Sequence, residues 1–374
     1  MVEDSSAQRI SRLTPLKAVL DLIDARVAAV TPRRGPLAQA AGRTLAADVV
    51  PLLLPAVPIA LRDGIAVEAA ALADANSYAP VSLDGTSRRV DAGEPMPERT
   101  NAVLPLDAVV QRGEHGEALA PIGAGEGILV AGADATPETL LRSAGERLRA
   151  IDVAVMTAAH MTAALFRAPR IGVACASADM SPTIEAAVGI LTAAVEAAGG
   201  EVVDGSRKPG GIEAALADGR ADTVIAVGGT GSGRRDKAVA TLARHGRVEV
   251  HGIAVSPGET AGFGFVGQKP VLLVPGRLDA ALAVWLLIGR HLVAKLAGGR
   301  VEDSSAKLRL KRKVTSTIGL TELVPVSCAG GMAEPLGSGY LSLAALARSD
   351  GWIVVPADSE GFMEGTPIAV RPWL

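Results

Sequence analysis

The chain has 374 residues, of which 49% are hydrophobic and 21% are charged, and its aromatic residues are four Phe, three Trp and two Tyr. The 37 basic and 40 acidic residues give a formal net charge of −3. Neither a basic field nor a set of stacking rings is therefore present to bind nucleic acid. The length exceeds the roughly 250 residues that one hydrophobic core supports, so two to four domains are expected.

The sequence carries no sign of a membrane or secretory segment. No apolar run approaches the about 20 residues that a membrane-spanning helix needs, and the first ten residues are polar and acidic. Cys175 and Cys328 are the only cysteines, too few for a disulfide framework. We therefore expect a cytoplasmic protein without a membrane partner.

Two helical patterns flank a β-rich segment in the first half of the chain. The first predicts an amphipathic helix over 15–30, because apolar residues at helical spacing share one face. Those residues are Leu16, Val19, Leu20, Ile23 and Val27. The second helical pattern covers about 136–165. Helical or linker elements are thus expected over 1–45 and 136–167, and an inserted β-rich domain, rich in Gly and Pro, over 46–135.

Strands and helices alternate from 168 to 299. The predicted strands are 170–176, 201–204, 223–227, 248–255 and 271–274, and the predicted helices are 182–198, 211–217 and 278–296. This alternation indicates a doubly wound, mostly parallel sheet that is covered on both faces. Residues 300–374 predict a C-terminal β domain. The expected fold class is multidomain α/β, with an inserted β-rich module and a C-terminal β-barrel-like module.

The strongest chemical signal is a glycine loop, residues 228–233, directly after the predicted strand 223–227. Its members are Gly228, Gly229, Thr230, Gly231, Ser232 and Gly233. Backbone N–H groups at a strand-to-helix junction can bind a phosphate or another oxyanion. The loop lacks the Lys of a Walker A motif and does not match the dinucleotide pattern GxGxxG. A tight structural turn is the alternative interpretation.

Two further loops follow strands of the same predicted sheet, at 254–264 and 274–281. Loops after parallel strands meet at the carboxyl edge of a sheet, so we expect one pocket there. The residues of these two loops that we expect to bind the ligand are Pro257, Gly258, Pro275, Gly276 and Arg277. Asp236 follows the glycine loop and is expected in the first turn of the next helix. There it either holds a metal ion or a hydroxyl or only complements the helix dipole.

Taken in order, these segments resemble those of the molybdopterin molybdenumtransferase family, whose eukaryotic relative is the gephyrin E domain. PAVPIALRDGIAV at 55–67 is similar to the family's P-x-F-x-x-S-x-M-D-G-Y-A-V, and GGTGSGRRD at 228–236 to G-G-x-S-x-G-x-x-D. PGETAGFG at 257–264 is similar to the end of K-P-G-K-P-x-x-F-G, and VPGRLDAA at 274–281 to L-P-G-N-P-x-S-A. The resemblance implies an elongated homodimer of four domains. It also implies insertion of molybdenum from molybdate into adenylylated molybdopterin, with release of AMP.

The resemblance assigns roles to four carboxylates. Asp63 matches the acid of M-D-G-Y-A-V, Asp179 the Glu of S-T-G-D-E and Asp236 the acid after the glycine loop, and these three are the expected catalytic residues. Asp134 matches the Asp of G-E-D and is expected, with Asp236, to hold Mg²⁺ between carboxylate and phosphate. The expected ligands are molybdopterin or its adenylylated form and molybdate, and the expected protein partners are molybdoenzymes or cofactor-pathway proteins.

The chain departs from the family at positively charged positions. Ser256 and Glu259 replace the two lysines of K-P-G-K, and a carboxylate there disfavours an anion. Leu320 replaces the Arg of G-R-x-E-F, whereas Arg277 adds a positive charge in P-G-N-P. Two functions stay open: molybdenum insertion at a divergent site, or a catalytically degenerate paralogue that binds molybdopterin or serves as a scaffold. A different nucleotide-binding enzyme on the same scaffold is a weaker alternative.

Overall fold

The structure is a computed structural model that describes residues 10–112, 115–177, 179–203 and 211–373. The chain divides into two compact units. The insert unit comprises Asp48–Ser143 and Ile151–Thr162, and the main unit comprises the remaining chain. None of the helices in the described ranges combines the length and the apolar character that crossing a membrane requires. The four-domain division expected from the sequence stays a prediction.

Eight α-helices occur in the described residues. They are Leu16–Arg26, Ala150–Ala158, Pro182–Ala197, Ile212–Ala217, Ala238–His245, Leu278–Val284, Arg290–Leu296 and Leu343–Arg348. A π-helical turn at Trp285–Gly289 joins two of them into one continuous helix over 278–296, as predicted. Short 3₁₀ turns lie at Leu37–Gln39, Ala69–Leu72 and Leu106–Ala108.

A six-stranded sheet forms the centre of the main unit. Its strands, in spatial order, are Glu201–Val202, Arg170–Cys175, Thr223–Val227, Lys269–Val274, Gly262–Val266 and Arg247–His251. The first four strands pair with one another in parallel. Gly262–Val266 pairs in the antiparallel direction with both of its neighbours, Lys269–Val274 and Arg247–His251. The mostly parallel sheet expected from the sequence is thus confirmed, although its first strand ends at Val202 and residue 204 lies outside the described residues.

Helices cover both faces of this sheet because successive strand residues point to opposite sides. Ile225 and Val227 pack into a core with the helices Pro182–Ala197 and Leu278–Val284. Val224 and Ala226 pack into a second core with the helices Ile212–Ala217 and Ala238–His245. All five residues of Thr223–Val227 are buried, which explains why that strand reads as a continuous apolar run. The doubly wound arrangement is therefore confirmed.

The predicted strand 248–255 is divided in the structure. Its first part, Arg247–His251, is the antiparallel edge of the central sheet, whereas Val255–Ser256 pairs in parallel with Thr321 and Glu322 of the C-terminal module. The break occurs at Gly252, whose φ of +93° only glycine adopts without strain. A Cβ atom there would also lie 2.6 Å from Cγ2 of Ile10.

The C-terminal module is built from strands with mixed directions. Its main sheet contains, in order, Val255–Ser256, Thr321–Ala329, Met332–Pro335, Ala306–Leu310 and Pro367–Val370, and Gly351–Val355 also pairs with Thr321–Ala329. Trp352 and Arg371 exchange two backbone hydrogen bonds of 2.9 Å. This bridge joins Gly351–Val355 to the residue after Pro367–Val370, and the barrel-like character of the module stays a prediction. Val314–Thr315 and Gly361–Phe362 form a separate pair.

The predicted helix over 136–165 is wrong for most of its length. Only Ala150–Ala158 is helical, and Ala163–Arg167 is the central strand of an antiparallel sheet with Arg33–Pro36 and Thr44–Leu45. Pro137 and Gly145 interrupt the helical pattern, and Gly145 has a φ of +84°. Its N–H group instead donates to the carbonyl of Leu45. At the N-terminus, the predicted helix 15–30 is shorter and spans Leu16–Arg26.

The insert unit is β-rich, as predicted for this segment. Gly64–Val67 lies between Arg88–Val90 and Ala102–Pro105 in one antiparallel sheet. A second sheet contains Val81–Ser82, His115–Ala118 and Val109–Arg112, and Ile59–Ala60 pairs with Ile128–Leu129. These sheets enclose a small core that contains Val67, Leu72 and Leu104.

Candidate functional site

The glycine loop begins where the strand Thr223–Val227 ends at the carboxyl edge of the central sheet. The N–H of Gly228 donates to the carbonyl of Val274 at 2.8 Å, which ties the loop to the neighbouring strand. Gly228 and Gly229 have φ values of +91° and +68°. Glycine is therefore required at both positions by the backbone conformation alone.

The loops after the parallel strands Thr223–Val227 and Lys269–Val274 meet at this edge with the segment 252–261, which joins the antiparallel strands Arg247–His251 and Gly262–Val266. A Cβ atom on Gly276 would lie 3.3 Å from Cα of Gly228, so the loop at 274–277 touches the glycine loop. Oγ1 of Thr230 lies 2.9 Å from Oγ1 of Thr260 in the loop 257–264. The predicted convergence of the loops is thus present, and the ligand-binding roles of their residues stay predictions.

The carboxylate of Asp236 contacts the glycine loop. The helix begins at Ala238, so the expected position of Asp236 in the first helical turn is wrong. Its Oδ2 atom accepts a hydrogen bond from the N–H of Gly233 at 2.9 Å. Cβ atoms on Gly231 and Gly233 would lie 2.8 and 2.9 Å from this oxygen. These glycines therefore make room for the carboxylate.

Asp179 and Arg235 form an ion pair beside the loop. Their side chains are 66% and 82% exposed, so solvent screens the pair. The N–H of Asp179 also donates to Oγ of Ser177 at 3.3 Å. The catalytic role expected for Asp179 stays a prediction.

Arg277 is fixed by Asp279, a residue that the sequence analysis missed. Nε of Arg277 donates to Oδ1 of Asp279 at 3.1 Å, and Nη2 donates to Oδ2. This hydrogen bonding raises the pKa of Arg277, and the charge of Glu259 raises it further. Asp279 is 4% exposed and also accepts the N–H of Leu341 at 3.1 Å. The only sequence signal was a carboxylate two positions after the arginine.

A second buried carboxylate, Glu322, holds the same C-terminal segment. It is 4% exposed and accepts hydrogen bonds from Oγ of Ser338 and the N–H of Gly339, both at 2.6 Å. The ring of Tyr340, between the two anchored residues Gly339 and Leu341, lies against the guanidinium of Arg277, with 4.8 Å from Cζ to the ring centroid.

The two positions that replace the family's lysines differ in exposure. Ser256 is 6% exposed and belongs to a strand paired with Thr321 and Glu322. Glu259 is half-buried, and its Oε2 accepts the N–H of the adjacent Gly258 at 3.1 Å. Gly258 has a φ of +129°, and a Cβ atom there would lie 2.8 Å from Cγ2 of Val284. Glycine at 258 is therefore required by packing alone.

His251 contributes a contact that the sequence did not reveal. Its Nε2 lies 3.0 Å from the carbonyl oxygen of Thr230, and because a carbonyl only accepts, Nε2 carries the proton. The ring thereby fixes the orientation of one peptide unit of the glycine loop.

Asp63 and Asp134 belong to the insert unit, and both are exposed. Oδ1 of Asp63 accepts the N–H of Ala92 at 2.8 Å, which is a turn contact. The backbone N–H of Asp134 donates to the carbonyl of Leu54 at 3.0 Å. Across the described residues, no three His, Cys, Asp or Glu side chains are grouped so that they could hold a metal ion. The roles of Asp63 and Asp134 stay predictions.

Three family models match the chain in consecutive order. The model of the MoeA N-terminal region (domain I and II) matches residues 14–159, that of a probable molybdopterin binding domain matches 185–295, and that of the MoeA C-terminal region (domain IV) matches 307–373. The three matches together account for most of the chain and include the glycine loop.

Relatives from archaea and bacteria show the same likeness. A putative molybdopterin biosynthesis protein of Methanocaldococcus jannaschii is 33% identical over 153 residues, which is 40% of this chain and 36% of that protein. This chain therefore matches about a third of that relative's length. Molybdopterin molybdenumtransferase 1 of Mycobacterium tuberculosis is 25% identical over 324 residues, which is 75% of this chain and 73% of that protein.

Solved structures share the fold over nearly the whole chain. A molybdopterin biosynthesis MoeA protein from Pyrococcus horikoshii superposes with a TM-score of 0.76 at 24% identity, covering 97% of this chain and 100% of that chain. A molybdenum cofactor biosynthesis protein from Pyrococcus furiosus gives a TM-score of 0.62 at 20% identity with the same coverage. At these identities the likeness concerns the fold.

Proposed function

Because this chain belongs to the MoeA family of molybdenum cofactor biosynthesis, we propose that it binds adenylylated molybdopterin at the glycine loop and inserts molybdenum from molybdate. AMP is the product released. The observation that carries this proposal is the meeting of three loops at the carboxyl edge of the sheet, with Gly276 against Gly228 and Thr230 bonded to Thr260. Ligands of open α/β sheets bind at this edge.

The names of the relatives support the substrate class. The mycobacterial relative is a molybdopterin molybdenumtransferase, and the archaeal relative is named a putative molybdopterin biosynthesis protein. We therefore propose molybdopterin, its adenylylated form and molybdate as ligands of this chain.

The chain's own residues suit an adenylylated phosphate. N–H groups of the glycine loop can donate to a phosphate oxygen, apart from those of Gly228 and Gly233, which already donate to Val274 and Asp236. Arg277, fixed by Asp279, adds a positive charge on the segment that touches Gly228. Release of AMP requires hydrolysis of the phosphoanhydride. A water oxygen forms a bond to one phosphorus, the bond from that phosphorus to the bridging oxygen breaks, and each product keeps one phosphate. Positioning and charge stabilisation are the contributions expected from the protein.

We propose Asp236 as the protein ligand of Mg²⁺ at this site. Mg²⁺ commonly binds through one or two carboxylates together with substrate phosphates and water. The single half-buried carboxylate of Asp236, held at the glycine loop by the N–H of Gly233, fits that donor set. Mg²⁺ supplies positive charge that stabilises the leaving phosphate. Asp134 remains the second proposed ligand, and Asp63 and Asp179 remain the other proposed catalytic residues.

We also propose a homodimer in the cytoplasm. The helix Ala150–Ala158 exposes Ile151 and Val155 by 59% and 45%, whereas its one acid, Asp152, is 6% exposed and paired with Arg142. We propose that a second copy of the chain packs against this exposed apolar side of the helix and buries it. Molybdoenzymes or proteins of the cofactor pathway are the proposed further partners.

The proposal is tested by titrating purified protein with adenylylated molybdopterin and by measuring AMP release after addition of molybdate and Mg²⁺. We expect saturable binding and stoichiometric AMP. Asp236→Asn should reduce AMP release at least tenfold, whereas Asp21→Asn, at an exposed pair with Lys17 on the first helix, should not change it. Absence of binding in the titration would contradict the proposal.

A second candidate function is a degenerate paralogue that binds the ligand without chemistry. The observation that favours it is the replacement of both family lysines, by the buried Ser256 and the acid Glu259. Ser256→Lys combined with Glu259→Lys tests this candidate. Because Ser256 is 6% exposed and a lysine there can disturb folding, Glu259→Lys alone is the second variant. AMP release by a lysine variant, but not by the parent, supports the degenerate paralogue, and an active parent rules it out.

A further inference from the structure

We infer that Tyr340 and Arg277 form a stacking platform that binds the planar nitrogen heterocycle of the ligand, either its pterin or its purine. The inference rests on the proposed function, because the platform adjoins the same glycine loop. Tyr340 adds a specificity determinant outside the three loops, in the C-terminal module.

Buried carboxylates hold the side chain of Arg277 and the backbone on either side of Tyr340. Asp279 fixes the guanidinium of Arg277 and accepts the N–H of Leu341. Glu322 accepts the N–H of Gly339 at 2.6 Å. The residues on either side of Tyr340 are therefore anchored by acids that are each 4% exposed. The backbone that carries the ring is fixed before any ligand arrives, which lowers the entropic cost of binding.

The platform remains open to solvent. Tyr340 is 65% exposed and Arg277 57% exposed, although each is fixed by its neighbours. The guanidinium lies over one face of the phenol ring at 4.8 Å from the centroid, and the ligand is proposed to stack on the opposite face. The remaining large aromatic rings near the central sheet, such as Phe263 and Trp285, are buried. An exposed ring on an anchored backbone, in a chain with so few aromatics, is suited to stacking on a ligand.

The backbone that carries Arg277 adjoins the glycine loop. Arg277 directly follows Gly276, which touches Gly228. Two of the guanidinium nitrogens, Nε and Nη2, bond to Asp279, and Nη1 has no hydrogen-bond partner among the described residues. A phosphate oxygen can therefore accept from Nη1 while a heterocycle stacks on Tyr340. This combination matches a ring joined to a phosphate by a short linker.

The matched pair AMP and ribose 5-phosphate isolates the contribution of the ring. Binding of each is measured by calorimetry, together with 6-hydroxymethylpterin as a phosphate-free pterin. The variants are Tyr340→Leu, which removes the ring, and Tyr340→Phe, which keeps it. Tyr78→Leu is the control, because Tyr78 is the other tyrosine, is 98% exposed and lies in the insert unit.

We expect Tyr340→Leu to weaken AMP or the pterin by about 5- to 150-fold, the factor that corresponds to stacking of one base. Tyr340→Phe and Tyr78→Leu should bind within about twofold of the parent, and ribose 5-phosphate should be unaffected by all three. Selective loss of AMP assigns the purine to the platform, and selective loss of the pterin assigns the pterin. An equal loss for all ligands, no loss, or a parent that binds neither ring compound overturns the inference.

The platform and the proposed function fail in different ways. If Tyr340→Leu binds adenylylated molybdopterin as the parent does and releases AMP normally, the platform is wrong and the proposed function stands. If the parent binds AMP or pterin through Tyr340 but never releases AMP from adenylylated molybdopterin, the platform stands and the insertion activity is wrong.

Discussion

The hydroxyl oxygen of Thr230 lies 2.9 Å from that of Thr260, and this hydrogen bond joins the glycine loop to the loop at 257–264. Thr230 is 2% exposed, so its partner cannot be replaced freely by water. Thr230→Val keeps the shape and removes the bond. We expect a loss of about 1 kcal/mol in unfolding free energy and weaker phosphate binding, measured by urea denaturation and calorimetry.

Thr157→Val is the matched control for that variant. Thr157 is exposed on the helix Ala150–Ala158, and among the described residues its hydroxyl bonds only to the carbonyl of Val153. Thr and Val have similar helix propensities, so a change below about 0.5 kcal/mol is expected. Equal effects at Thr157 and Thr230 would show that the contact with Thr260 contributes nothing.

A methyl group on Gly231 should disturb the carboxylate of Asp236. The added Cβ would lie 2.8 Å from Oδ2, closer than ordinary contacts allow. We expect Gly231→Ala to weaken Mg²⁺-dependent ligand binding and to lose much of this effect when Asp236 is also changed to Ala, measured as a double-mutant cycle. Additive effects of the two substitutions would show that the weaker binding does not come from the contact between position 231 and Asp236.

Gly189→Ala is the corresponding control. Gly189 lies in the helix Pro182–Ala197, and an added Cβ meets nothing within 4 Å. Alanine in a helix interior is more favourable than glycine by about 0.8–1.0 kcal/mol, so a small gain in melting temperature without a change in ligand affinity is expected.

Removal of the Asp279 carboxylate should destabilise the main unit. Asp279→Ala leaves the N–H of Leu341 without its acceptor and releases Arg277, at an expected cost of about 1–3 kcal/mol in urea denaturation. Asp303→Ala is the control, because Asp303 is 53% exposed and bonds to Arg371 at the surface. A cost below about 1 kcal/mol is expected there. A larger effect at Asp303 than at Asp279 would contradict the assigned role.

The carboxyl group of Asp218 should titrate at an unusually low pH. Hydrogen bonds from the Arg220 side chain and backbone lower the pKa of Asp218 from the ordinary 3.8 to about 2. Because the folded-state pKa is the lower one, the ionised group favours folding above pH 3.8, and this contribution is lost as the pH falls through about 2. NMR titration of the Asp218 carboxyl carbon should give a midpoint near 2. Arg220→Gln should raise that midpoint toward 3.8, and identical midpoints would refute the assignment.

The central sheet was predictable because its strands leave strong local patterns. Thr223–Val227 is buried on both faces and therefore reads as an uninterrupted apolar run. The segment at 136–149 has the apolar spacing of a helix but is not helical, since Pro137 and Gly145 interrupt that pattern. In the structure its backbone bonds to distant residues, for example from Gly145 to Leu45, and no local pattern encodes such pairing.

The sequence was sufficient to predict which loops form the candidate site, but not which side chains contact one another there. Glycines and prolines mark strand ends, so the three loops were found from spacing. Asp279 and Glu322 were missed because buried carboxylates are recognised by their partners. Those partners, such as Leu341 and Ser338, lie 62 and 16 positions further along the chain.

Because Val255–Ser256 pairs in parallel with Thr321 and Glu322, the α/β sheet and the C-terminal module should not fold well when they are expressed separately. A fragment truncated after residue 299 would keep a strand without its neighbour and a buried Asp279 without the Leu341 N–H. It would also lose Leu323, Leu341 and Trp352 from the hydrophobic core that they share with the α/β sheet, and exposure of that core favours aggregation. The α/β sheet and the C-terminal strands should therefore unfold together as one cooperative block.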